Sequence, residues 1–156
     1  MCYMTQISQL SNPVRDVDFA TLDGTSSVEA QMERMMPSLG VVYVTAITRD
    51  GCSGCIEQKP LFNELAAKME GQHARLVSFS RIHIKYSEAN VAQSAAAKKT
   101  FRHGAYPTYM IHVRSRFGPL ELYRAIYPSM SELEKQVGEA MGLAEHYKTD
   151  AEKNAR

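Results

Sequence analysis

The run Val41-Val42-Tyr43-Val44-Thr45-Ala46-Ile47 constrains the fold more than any other stretch of the chain. It is β-branched and apolar nearly throughout, without alternation, which is the pattern of a strand buried on both faces of a sheet. Such a strand needs covering layers above and below it, and the chain must supply helices for both. Directly after it comes Cys52-Ser53-Gly54-Cys55, and then the helical stretch Leu61-Phe62-Asn63-Glu64-Leu65-Ala66-Ala67-Lys68-Met69, with Leu61, Leu65 and Met69 on one face. A pair of cysteines therefore sits where a buried strand hands over to a helix. Helix N-termini favour negative charge, and a thiolate is a negative charge.

The rest of the chain supplies the layers. Val14 to Ala20 alternates, with Val17 and Phe19 on one side, and predicts a short strand. Asp23-Gly24 predicts a turn, and Thr25, Ser26 or Ser27 a helix cap. Val28, Met32, Met35 and Met36 share one face of the next helix, which ends at Pro37 and Gly40; this methionine stripe reads as core packing. Pro60 predicts a kink in the helix after the cysteines, and Gly71 its end. Arg75 to Ile84 reads as a second long strand, with His83 exposed or hydrogen-bonded. Ser87 is the expected cap of a helix from Glu88 to Phe101, with Val91, Ala95 and Phe101 inward and Lys98, Lys99 and Arg102 at the end that favours cations. Gly104-Ala105-Tyr106-Pro107 breaks the chain before a strand from Thr108 to Val113. Gly118-Pro119 is expected to close a hairpin with a short strand from Leu120 to Tyr123. Ser129-Met130-Ser131-Glu132 has the form of a capping box. It opens a last amphipathic helix through Met130, Leu133, Val137, Ala140, Met141 and Ala144.

The order β-α-β-α-β-α-β-β-α predicts an α/β fold. Parallel crossovers come first and an antiparallel hairpin last, in a mixed central sheet flanked by helices. The expected organisation is an N-terminal extension over 1–14, one domain over 15–147 and a polar C-terminal tail over 148–156. A net charge of +1 without a basic stripe argues against nucleic acid as a partner. The chain has no apolar run of membrane-spanning length, so no membrane association is expected.

Met1 to Leu10 lack the features of an export signal, and the three cysteines, Cys2, Cys52 and Cys55, are too few for a disulfide framework. Both observations point to a reducing, cytoplasmic compartment, where disulfides tend to be transient and catalytic. Cys2, near a terminus, reads as a free thiol. His73, His83, His103, His112 and His146 are scattered, and zinc wants four ligands, so neither a metal nor any other cofactor is expected beyond the redox-active dithiol itself. An iron–sulfur cluster shared between the cysteine pairs of two chains is possible in principle, but no further residue demands it.

From Val17 to Ala144 the chain resembles the thioredoxin family. Four features carry the resemblance: Cys52-Ser53-Gly54-Cys55 opening a helix after a central strand, Pro60 five positions after Cys55, Tyr106-Pro107-Thr108 at the start of the next-to-last strand, and a final hairpin and helix. The resemblance implies the thioredoxin fold and a thiol–disulfide oxidoreductase in which Cys52 is the nucleophile and Cys55 the resolving thiol. It also implies a cis peptide bond before Pro107, which turns the Tyr106 backbone toward the cysteines. Tyr106, Pro107, Ser53 and Gly54 then become the substrate-binding edge, with Tyr106 an aromatic wall beside the sulfurs. Two positions depart from the family pattern. Gly51 stands where a tryptophan is usual, and Ala46 (or Thr45, if the loop has one extra residue) where thioredoxins proper carry a buried acid.

Disulfide exchange needs a thiolate that attacks and a second thiol that resolves the mixed disulfide. Cys52, at the helix edge, is the expected exposed and acidic thiol, and Cys55, one turn in, the buried one. The helix dipole contributes about 0.3–1 kcal/mol at exposed sites and ~2 kcal/mol when partly buried, enough to bring a thiol only near neutrality. More acidity needs further donors, such as backbone N–H groups or the Ser53 hydroxyl. Ser53 and Gly54 carry no charge that would specially stabilise the reduced form, which predicts a reductant. The expected partners are a protein or small-molecule disulfide and an upstream reductase, with the chain a monomer. The competing expectation, raised by Gly51 and Ala46, is a non-catalytic thioredoxin-like redox sensor or binding module.

Overall fold

The computed structural model describes residues 12–19 and 28–154. Cys2, the Asp23-Gly24 turn and the caps at Thr25 to Ser27 lie outside the described residues. Strand β1 (Val14–Asp18) is followed by α1 (Val28–Met35), β2 (Val42–Arg49), α2 (Ser53–Gln72), β3 (Val77–Ile84), α3 (Ala92–Phe101), β4 (Thr108–Ser115), β5 (Gly118–Ile126) and α4 (Met130–Asn154). The strands form one sheet in the order β1-β3-β2-β4-β5. β3 pairs parallel with both β1 and β2, β4 runs antiparallel to β2, and β5 antiparallel to β4. The element order and the mixed sheet are those the hydrophobic pattern predicts, and β2 is buried along Val42 to Thr48.

The two faces of the sheet carry separate cores. On one, Val42, Val44 and Ala46 of β2 meet Phe62, Leu65, Ala66 and Met69 of α2 and Leu133, Val137, Ala140 and Ala144 of α4. On the other, Tyr43 and Ile47 meet Met35 at the end of α1, Met36 just after it, and Ala97 and Phe101 of α3. The methionine stripe is thus core. The alternation along β2 also separates the two residues at which the family's acid could fall. Ala46 faces α2, while Thr45 accepts a hydrogen bond from Ser80 Oγ at 3.4 Å.

Several boundaries differ from expectation for local reasons. α3 starts at Ala92, because Ser87 and Asn90 exchange backbone hydrogen bonds and Ser87 Oγ accepts from the Asn90 N–H at 3.1 Å, which closes a turn and caps no helix. Its buried residues are Ser94, Ala97 and Phe101, while Val91 and Ala95 are exposed. In α2 it is Phe62 that is buried and Leu61 that is exposed, and the helix passes Gly71 to a cap at His73. β3 begins two residues after Arg75, whose φ of +68° puts it in a left-handed turn. Gly118 and Pro119 begin β5 and do not form the hairpin turn, and β5 continues beyond Tyr123 to Ile126. α4 runs on to Asn154, so positions 148–154 of the expected tail are helical.

Candidate active site

Cys52 and Cys55 are disulfide-bonded, with Cα atoms 5.2 Å apart. Cys52 is the N-cap of α2, in extended conformation, and its Sγ accepts a hydrogen bond from the Cys55 N–H at 3.1 Å. The amide is one of the orphan donors of the first turn, so the helix start itself supplies a backbone donor to the first sulfur. Both cysteines are buried in this oxidised state, Cys52 at 8% exposure and Cys55 at 5%. Gly51 sits at φ +71°, a left-handed conformation that glycine adopts freely and a tryptophan would not.

The Tyr106–Pro107 bond is cis. The loop that carries it lies against the cysteine motif, for a Cβ built on Gly54 would stand 3.3 Å from Pro107 Cδ. Ser53 is exposed beside it. Gly54, Pro107 and the two cysteines thus come together from distant parts of the chain. Tyr106 is half-buried, bonds Ser94 Oγ through its hydroxyl at 3.0 Å, and packs edge-on against His103. Burial raises its phenol pKa.

The aromatic ring that lies on the motif is Tyr127, which the hydrophobic pattern does not single out. The same Cβ on Gly54 would stand 2.9 Å from Tyr127 Cδ2 and Cε2. The Tyr127 N–H donates to Pro107 O at 3.0 Å, and its hydroxyl donates to Glu57 Oε2 at 2.5 Å. That bond to Glu57 raises the Tyr127 pKa. Gln58 Nε2 donates to Pro128 O at 2.7 Å, so the segment leaving β5 is fastened to the first turns of α2.

The loop before Cys52 is held from the other side. Asp50 Oδ1 lies 2.6 Å from His83 Nε2, Asp50 Oδ2 accepts the Tyr86 N–H at 3.1 Å, and His83 Nδ1 lies 2.9 Å from Thr48 Oγ1. The His83 bond, then the Tyr86 bond, lowers the Asp50 pKa. The Arg49 guanidinium stacks 3.9 Å from the centroid of the Tyr86 ring and 5.3 Å from that of Tyr106. Among the described residues, no group of three or more His, Cys, Asp or Glu side chains could hold a metal ion. No helix among them is long and apolar enough to cross a membrane.

Fold and site together define a thioredoxin-fold protein with a Cys-x-x-Cys pair at the start of its site helix. Solved thioredoxins share the architecture. The Trichomonas vaginalis thioredoxin superposes with a TM-score of 0.61 at 12% identity, over 83% of this chain and 98% of that one. The Nicotiana alata thioredoxin NaTrxh gives 0.56 at 22% identity, over 85% and 97%. A thioredoxin f2 solved in complex with ferredoxin:thioredoxin reductase gives 0.56 at 13% identity, over 81% and 94%. No family model and no curated protein matches the sequence. At these identities the similarity is one of fold.

Proposed function

We propose that the protein is a thiol–disulfide oxidoreductase that reduces disulfides through the Cys52/Cys55 dithiol. The observation that carries this reading is the meeting of the cysteine-bearing helix start with the cis-Pro107 loop across Gly54. In the reduced protein the Cys52 thiolate attacks one sulfur of a substrate disulfide. The other substrate sulfur leaves as a thiolate, and a mixed disulfide remains on Cys52. Cys55 then attacks Cys52 Sγ, which releases the second substrate thiolate and closes the Cys52–Cys55 bond. The Cys55 N–H, already directed at Cys52 Sγ, favours the attacking thiolate. Ser53, Gly54, Pro107 and the backbone of Tyr106 form the edge on which an extended substrate lies.

An upstream reductase closes the cycle, a role in keeping with a thioredoxin f2 of the same fold having been solved with one. A cytoplasmic setting, with the chain a monomer, suits a dithiol that must be kept reduced. One observation favours a second reading, a non-catalytic redox sensor or binding module. Ala46 offers no carboxylate on the α2 face to take the Cys55 proton.

Insulin reduction by dithiothreitol separates the two. The wild-type protein should accelerate it, Cys52→Ser should abolish the acceleration, and Cys55→Ser should accumulate mixed disulfides on Cys52 that mass spectrometry can identify. No acceleration, together with no Cys52–Cys55 disulfide in the purified protein, would leave the binding module.

A further inference from the structure

A cleft of about 530 Å³ opens beside α2, on the side where β1 and β3 lie, and Cys55 forms part of its wall. Arg49, Lys59, Arg81 and Lys85 line it against only two carboxylates, Asp16 and Asp18, with His83 also on the wall. Arg81 is its distinctive member. The residue is 4% exposed, yet Nη1 has no hydrogen-bond partner. Nη2 donates to Asn63 Oδ1 at 3.0 Å, and the guanidinium sits over the Phe62 ring, so the group is held in place from α2. Asp16 Oδ1 lies 3.6 Å from Nη1, beyond hydrogen-bond distance, and the Asp16 side chain is itself 71% exposed. In the sheet register Arg81 stands between Asp16 of β1, its ion-pair partner, and Ala46 of β2, which brings no acceptor to it. Asp16 gives the guanidinium an ion pair without a close hydrogen bond, and a ligand carboxylate that takes the place of the exposed Asp16 side chain would match both the shape and the charge of the group.

We infer that this cleft binds the carboxylate of a small thiol and delivers its sulfur to Cys55 of the oxidised protein. The inference rests on the Cys52/Cys55 dithiol being redox-active. The incoming thiolate attacks Cys55 Sγ, the Cys52–Cys55 bond breaks, and its electron pair leaves on Cys52. Cys52 is the better leaving group of the two, because the helix start and the Cys55 N–H stabilise its thiolate. A second thiol attacks the sulfur of the first in the mixed disulfide and frees Cys55 as a thiolate. Two thiols become one small disulfide, and the protein gains two electrons. The protons shed by the two thiols go to solvent and are available to the protein's sulfurs.

The test is the rate at which 3-mercaptopropionate, 2-mercaptoethanol and cysteamine reduce the oxidised full-length protein. Each rate is corrected for thiolate fraction and compared with the rate on a small neutral disulfide. The carboxylate thiol should be favoured over the cationic one by about tenfold, the factor a single charge-assisted hydrogen bond supplies. Acid quenching and peptide mapping should find its adduct on Cys55. Arg81→Gln should erase the preference and Arg81→Lys should keep part of it. The exposed Lys59→Gln should weaken it, and this variant keeps the test open if Arg81→Gln does not fold. Equal corrected rates, or an adduct confined to Cys52, would overturn the inference and leave the proposed function standing. A disulfide inert to all three thiols would overturn both.

Discussion

At the scale of single residues the site turns on Gly54. It is the contact point of three segments, and the space its missing side chain leaves is filled by the Tyr127 ring and Pro107. Gly54→Ala places a Cβ 2.9 Å from two ring carbons, so the ring must swing aside and pull against its bond to Glu57. Overpacking of this kind costs about 1–3 kcal/mol, against a gain of up to about 1 kcal/mol for alanine over glycine in a helix. The expected net result is destabilisation of the wild-type background. In a Tyr127→Ala background, with the ring gone, the same substitution should be neutral or stabilising. Urea unfolding of the four members of this cycle checks the sign, and a Gly54→Ala that stabilises both backgrounds would refute the contact. The cysteines, Gly54 and Pro107 were legible in the sequence because each belongs to a motif with its own spacing. Tyr127 was not. It reaches the motif only because β5 returns to the site, and because its own backbone adopts φ +50°, which no periodicity encodes.

At the scale of elements, the signals that held are those with a local cause. Ser129 Oγ accepts the Glu132 N–H at 3.1 Å, the hydroxyl half of the expected capping box, while Glu132 Oε1 accepts from Gln136 Nε2 at 3.0 Å. Ser129→Ala should cost about 1 kcal/mol, read as a lower urea midpoint with an unchanged slope, whereas Ser131→Ala, outside the cap position, should cost less. If the two variants lose equal stability, Ser129 is no cap. The core strands were legible because continuous or alternating apolar runs have few alternatives. The start of α3 was not, because a serine side chain can close a turn as readily as cap a helix, and Asn90 lay within reach of Ser87. The end of α4 was missed for a different reason. The regular apolar stripe stops near Ala144, but Tyr147 still packs on the core and Ala, Glu and Lys residues carry the helix on by propensity.

At the scale of the whole molecule, β4 joins the antiparallel hairpin to the parallel half of the sheet, and His112 lies at 5% exposure within it. Burial pushes its pKa down to about 4. The Glu121 carboxylate, 3.8 Å from Nε2, opposes the shift and Arg124 adds to it. Burial thus favours the neutral imidazole, whose Nδ1 has no hydrogen-bond partner. Burial also lowers the pKa of His103, and the Ala105 carbonyl opposes it. The unfolded chain takes up a proton at His112 below about pH 6.5, and the folded chain only near 4. The contribution of neutral His112 is therefore fully present above pH 6.5 and is lost progressively as pH falls to 4. At about 1.36 kcal/mol per pH unit the loss is of the order of 3 kcal/mol. Asp50, with its pKa lowered, acts in a separate window, because its contribution is lost only below its ordinary value of 3.8. His112→Phe keeps an aromatic ring of similar size without the proton site. Urea midpoints at pH 7, 5.5 and 4.5 should fall less steeply for the variant than for the wild type, with His103 supplying part of the remaining slope. Parallel curves for the two proteins would mean that His112 takes up its proton inside the folded sheet without cost.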